Sequence, residues 1–83
     1  MQILYFGWVR TRIGLGSEEV SPPLEVGDVR GLIEWLNGRG SQYRKAFENI
    51  SSIRVAINQE IADLDDPVMP GDEVALFPPM TGG

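Results

Sequence analysis

The chain contains no cysteine and no histidine. Without cysteine there is no disulfide framework and no thiolate to hold zinc or attack a substrate. Without histidine there is no imidazole ligand, no Ser-His or Cys-His pair, and no ordinary general base near neutral pH. Unaided side-chain catalysis and a bound metal are therefore both unexpected. Long apolar runs are missing too: the longest, Ile3 to Val9, falls far short of the roughly 18 residues that span a bilayer. It does not read as a signal peptide, because no basic residue precedes it and no small-residue cleavage site follows. Positive charge is scarce, with seven Lys and Arg against twelve Asp and Glu and a net charge of -5. That balance opposes docking on nucleic acid phosphates or anionic lipid, so neither nucleic acid nor membrane is expected as a partner. The lack of disulfides fits a cytoplasmic protein.

What is present fits one folded domain. The chain has 83 residues, 42% of them hydrophobic and 23% charged, enough for one modest core and too few for two. No internal repeat or linker divides it. Gln2 to Arg10 ("QILYFGWVR") alternates as a strand, with Ile3, Tyr5 and Val9 on one face and Leu4, Phe6 and Trp8 on the other. A turn at Ile13 to Ser17 leads to a short second strand, "EEVS", stopped by Pro22 and Pro23. Asp28 then suits a helix N-cap, and Val29, Leu32, Ile33 and Leu36 follow at i, i+3, i+4, i+7. Either Gly38 or Gly40 ends that helix. Tyr43, Ala46, Phe47 and Ile50 repeat the spacing and predict a second short helix. Ile53 to Asn58, a short piece around Ile61, and Asp72 to Phe77 after the Pro70-Gly71 turn read as three more strands.

The expected order, β-β-α-α-β-β-β, is that of an α+β domain in which a helix packs across one face of a mixed sheet. One helix cannot cover both faces. Leu4, Phe6, Trp8, Ile61 and Phe77 are then expected on the uncovered face, as an apolar patch for a partner. From Val55 onward there are six acidic residues and no Lys or Arg. They read as a solvated rim; "DLDD" lacks the spacing and distal Glu of a calcium loop. Their functional alternative is an acidic shoulder that steers the tail toward a basic pocket.

The sequence ends "LFPPMTGG". Pro78 and Pro79 cannot continue a strand ladder and hold the backbone extended, and Met80 and Thr81 then give way to Gly82 and Gly83. At about 3.3 Å per residue, Pro79 to Gly83 would reach roughly 17 Å from the body. Only residues without Cβ would pass a narrow tunnel, and the only chemical group at the tip would be the α-carboxylate. Residues 1–78 are thus expected to form the domain and 79–83 an extended, flexible tail.

With these features the chain resembles the small subunit family of molybdopterin synthase, the ubiquitin-like sulfur carriers called the MoaD family. The resemblance spans almost the whole length, through Val9 to Gly14 ("VRTRIG"), Ile57 to Ile61 ("INQEI") and above all Gly71 to Gly83 ("GDEVALFPPMTGG"). "MQIL" and "AINQ" are also similar to the thiamine-pathway carrier, a generally shorter family without the Phe-Pro-Pro-x-Thr element. The resemblance implies a β-grasp fold and a non-catalytic subunit that binds no cofactor. A ubiquitin-activating-type enzyme would adenylate Gly83 with ATP, and a sulfur donor would convert it to a C-terminal thiocarboxylate. The carrier would then enter the active site of the large synthase subunit, in a heterotetramer of two small and two large subunits. There it would give sulfur to cyclic pyranopterin monophosphate for the dithiolene. Matching partner-binding positions are Phe6, Arg10, Ile61, Phe77 and the tail residues Pro78, Pro79, Met80 and Thr81, with Gly82 and Gly83 at the reacting end. Trp8 stands where the family has a polar residue, and is expected either to enlarge the interface or to pack locally. Conjugation of Gly83 to lysines, as in related protein modifiers, and an inert-tailed interaction module are the other outcomes that fit.

Overall fold

The computed structural model describes residues 1–79. Strands β1 (Gln2–Tyr5), β2 (Ser17–Glu19), β3 (Arg54–Ile57), β4 (Glu60–Ala62) and β5 (Glu73–Phe77) form one sheet in the order β2-β1-β5-β3-β4. The central pair, β1 and β5, is parallel, and the other pairs are antiparallel. Helices α1 (Gly7–Ile13), α2 (Val29–Asn37) and α3 (Ser41–Ala46) accompany the sheet, with a single 3-10 turn at Ile50–Ser52. This is a β-grasp. Among the described residues no helix is long and apolar enough to cross a membrane.

Helix α2 forms as its sequence dictates. The Asp28 side chain accepts the Gly31 N–H at 2.7 Å and so satisfies one of the unpaired donors of the first turn. Val29, Leu32, Ile33 and Leu36 are all buried, against Ile3, Tyr5, Val55, Val74 and Leu76 of the sheet. Ile57, two residues along β3 from Val55 and so on the same face, is only half-buried. Gly38 caps the helix. In the second predicted helix Tyr43, Ala46 and Phe47 are buried as expected, while Ile50 begins the 3-10 turn. The Pro70-Gly71 turn is closed by Asp72 N–H donating to the Met69 carbonyl at 3.1 Å, with Gly71 at φ +91. Pro at the second position and a left-handed Gly at the third make it a type II turn.

The first predicted strand is too long. β1 stops at Tyr5, and Gly7 at φ +57 turns the chain into α1, which runs to a left-handed Gly14 whose N–H caps the Arg10 carbonyl at 2.8 Å. Val9 is buried with Ile3 and Tyr5, but from a helix: Val9 and Ile13, four residues apart, form its apolar stripe. Trp8 pairs with Arg12 at the same spacing, the guanidinium carbon 4.5 Å from the ring centre. The order thus contains a helix between the first two strands. β2 is likewise shorter than "EEVS" and begins one residue earlier.

Glu18 ties the core layer together. Its carboxylate accepts hydrogen bonds from the hydroxyls of Tyr5, at 2.8 Å, and Tyr43, at 2.6 Å, and faces Arg39 Nη2 at 3.4 Å. Burial, then the Glu18 hydrogen bond and charge, raise both phenols above their ordinary pKa, Tyr5 the more strongly. β3 and β4 join through Asn58 and Gln59, both at positive φ, 51° and 71°. Asn58 suits such a two-residue hairpin, and it is also anchored: its Oδ1 accepts the Glu73 N–H at 3.0 Å and its Nδ2 donates to Asp72 at 3.1 Å.

Gln59 has no such anchor among the described side-chain bonds, so Gln59→Gly relieves left-handed strain at a smaller entropic cost. A stabilisation of about 0.5–1 kcal/mol is expected, read as a higher Tm by calorimetry. The tyrosines set a second expectation. A raised folded-state pKa means that the folded protein keeps protons the unfolded chain releases, so stability is full below about pH 10 and falls as pH rises beyond it. Denaturant titrations across the alkaline range should show this loss, and Tyr43→Phe should make it shallower.

The open sheet face and the root of the tail

One face of the sheet carries the three helices, and alternation sends the other set of side chains outward. Cross-strand register aligns Ser17, Leu4, Ala75, Ala56 and Ile61 in one row across all five strands. The two alanines make the middle of the row low, between Leu4 and Ile61. Ile61 is 82% exposed. Phe77 lies two residues beyond Ala75 on the same side, paired with Arg54. Phe6 is extended (φ -131, ψ 162), continues the alternation from Leu4, and is 47% exposed. Its N–H donates to the Leu76 carbonyl at 3.1 Å, which sets it beside Phe77. Leu4, Phe6, Ile61 and Phe77 therefore share one apolar face, as parity predicts.

Trp8 does not join them. It is half-buried in α1, on the core, with Arg12 over its ring. Arg10 is exposed on the same helix and has no carboxylate within salt-bridge distance among the described residues. The chain leaves the sheet after Phe77, and Pro78 and Pro79 are half-buried. Met80, Thr81, Gly82 and Gly83 lie outside the described residues.

The acidic residues fall elsewhere. Asp72 and Glu73 stand at the opposite end of β5 from Pro78. Asp65 pairs with Arg30 at 3.1 Å, and Asp66 and Asp72 accept the N–H groups of Asp63 and Met69, each at 2.8 Å. They fasten turns and line a solvated rim, and the charged residue beside the tail root is instead Arg54, which pairs with Phe77 across β3 and β5. Among the described residues no group of three or more acidic side chains is placed to hold a metal ion. A depression of about 420 Å³ lies at the Met1 end of β1, between Val20, Leu24, Val26, Val68 and Met69. No titratable side chain lines it. It is remote from the tail root and offers no chemistry.

Sequence reasoning overlooked Gly7. Among the described glycines it combines a positive φ with a crowded surround: a Cβ there would fall 2.6 Å from Pro78 Cγ and 2.8 Å from Pro78 Cδ. A glycine inside an apparent strand was the available signal.

Comparison with known proteins agrees with this geometry. The chain is 32% identical to the molybdopterin synthase sulfur carrier subunit of Escherichia coli K12, over 100% of this chain and 99% of that one. Among solved structures it is similar to SAMP1 from Haloferax volcanii, with TM-score 0.74 and 27% identity over 100% of this chain and 98% of that one. A Helicobacter pylori complex of subunits 1 and 2 of molybdopterin-converting factor shares the fold, with TM-score 0.62 and 21% identity over 99% of this chain and 96% of the matched chain. The ThiS family model matches residues 3–83, and the chain belongs to the ThiS family.

Proposed function

We propose that this protein is the sulfur carrier subunit of a molybdopterin synthase. The observation that carries the reading is a convergence: the open apolar face of Leu4, Phe6, Ile61 and Phe77 runs up to the exit of the chain through Pro78 and Pro79, with Phe6 and Phe77 side by side at that end of the central strand pair. A partner that covers the face is in position to take the tail. The full-length similarity to curated sulfur carrier subunits, in E. coli and at 30% identity in Homo sapiens, supports the same reading.

In this reading Gly83 carries the sulfur. A carboxylate is a poor acyl donor, so an activating enzyme first joins it to AMP: a carboxylate oxygen attacks the α-phosphorus of ATP and pyrophosphate leaves. The terminal sulfur of a donor persulfide then attacks the acyl carbon and displaces AMP. A thiol cleaves the resulting acyl disulfide, leaving a thiocarboxylate on Gly83 and a disulfide on the donor side. The large subunit takes the charged tail into its active site, where the sulfur is transferred to cyclic pyranopterin monophosphate. Two such carriers supply one dithiolene, which fits a heterotetramer. The carrier contributes no catalytic side chain, and Phe6, Ile61 and Phe77 with Pro78 to Thr81 form its contact surface. Arg10 pairs with a partner carboxylate at the rim, a contact worth little if it stays solvated. A cytoplasmic location follows from the ATP and thiol chemistry.

The deciding experiment reconstitutes the pathway from ATP, activating enzyme, sulfur donor, large subunit and pterin precursor. The intact protein should acquire the mass of one oxygen exchanged for sulfur and yield dithiolene. Deletion of Gly82 and Gly83 shortens an extended tail by roughly 6 to 7 Å and should abolish both. Dithiolene at normal yield from the truncated protein overturns the reading. Conjugates on lysine amines in place of a thiocarboxylate identify a protein modifier instead.

The contact surface makes a separate expectation. Phe77→Ala and Phe6→Asp should weaken binding to the large subunit, by about 2 kcal/mol or more for the better-buried aromatic, with circular dichroism unchanged. Isothermal titration calorimetry measures this. Affinity unchanged from the wild-type protein in both folded variants rules out the open face as the docking surface.

A further inference from the structure

Gly7 follows the last residue of β1's extended run and begins α1, and its backbone is left-handed at φ +57. Two demands meet there. The backbone angle favours a residue without Cβ, and the space that a Cβ would take is filled by Cγ and Cδ of the Pro78 ring, at 2.6 and 2.8 Å. No real Cβ contact is that short, so any other residue at position 7 displaces the ring. The contact lies outside the core: Gly7 is exposed and Pro78 half-buried. It lies immediately after the last pairing of the central strands, Tyr5 with Leu76, and the Phe6 N–H bond to the Leu76 carbonyl at 3.1 Å. Pro78 has no N–H with which to extend that ladder. At Pro78 the path of the chain is therefore limited by steric contact with whatever stands at position 7.

We infer that Gly7 is a positioning residue for the tail: its missing side chain forms the seat of Pro78, and that seat sets the direction in which the following residues leave the body. The inference rests on the carrier reading for its functional consequence, because a redirected tail presents Gly83 to the activating enzyme from the wrong angle. Misplacement by about 1 Å at a reacting group can cost on the order of a hundredfold in rate. Phe6, Ile61 and Phe77 keep their own side chains in such a change, and a rate read at saturating carrier separates a weaker contact through the displaced Pro78 from a misdirected tail.

The test separates the steric seat from the backbone angle. Asn tolerates left-handed φ, so Gly7→Asn keeps the turn into α1 while adding the offending Cβ. Pro78→Ala deletes Cγ and Cδ, the two atoms that the Cβ would strike. In the wild-type protein, nuclear Overhauser cross-peaks between the Gly7 Hα and the Pro78 Hδ protons should be present, and they require no partner. ATP-pyrophosphate exchange by the activating enzyme, at saturating carrier, is the functional readout. Gly7→Asn should lower the saturated exchange rate by about tenfold or more, and Gly7→Asn/Pro78→Ala should recover the larger part of that loss. A purely structural role would lower Tm without changing the saturated rate. An unchanged saturated rate in folded Gly7→Asn, or a double variant as slow as the single, overturns the inference. If Gly7→Asn does not fold, the double variant should fold again; failure to do so also overturns it. Absence of exchange with the wild-type protein, cross-peaks present, refutes the carrier reading and leaves the seat standing as geometry.

Discussion

The parallel pairing of β1 with β5 is the constraint on which the rest of the molecule depends. It places residues from the two ends of the sequence side by side at the centre of the sheet, where Ile3, Tyr5, Val74 and Leu76 are fully buried. A parallel pair cannot be closed by a tight hairpin, so every other element belongs to the connection between these two strands. The same register places Phe6 beside Phe77 and Gly7 beside Pro78. A slip of one residue would exchange the buried and open sets and part Phe6 from Phe77.

Alternation divides labour within single strands. On β5, Val74 and Leu76 are fully buried and Ala75 and Phe77 are half-exposed. Burial of a Val or Leu side chain contributes about 1.5–3 kcal/mol, so the inward set holds the fold. The outward set contributes less to stability and is correspondingly free to serve recognition. Ala56 and Ala75 illustrate this, because larger side chains would fill the low middle of the row without improving the core.

Much of this was legible in the sequence where a local rule acts alone. Asp28 and the four apolar positions after it defined α2, Pro70-Gly71 defined a turn, and parity on short strands placed Phe6, Ile61 and Phe77 together. The reading failed where two periods coincide. In "QILYFGWVR" the alternation of β1 runs without a break into the Val9 and Ile13 spacing of α1, and no polar residue marks the boundary. The signals were Gly7 and Gly14, whose left-handed backbones open and close the helix. Trp8 was misplaced with that boundary. The seat of Pro78 had no local signature at all, because it joins residues 7 and 78 through space. The acidic stretch showed its composition but not its geometry: which carboxylates fasten turns depends on where the loops fold.

The position of β5 in the sheet also has a consequence for biosynthesis. It is the last strand in chain order yet occupies the middle of the sheet, between β1 and β3. During translation β1 and β2 can pair early and β3 can pair with β4, but the two antiparallel pairs share no edge until residues 73–77 have been made. The sheet therefore closes only after most of the polypeptide has emerged, a long-range pairing of the kind that folds slowly. A chain terminated before β5 lacks both the tail and the strand that completes the core. Termination upstream of Glu73 therefore leaves two strand pairs without a shared edge, and no complete sheet on which the open face could form.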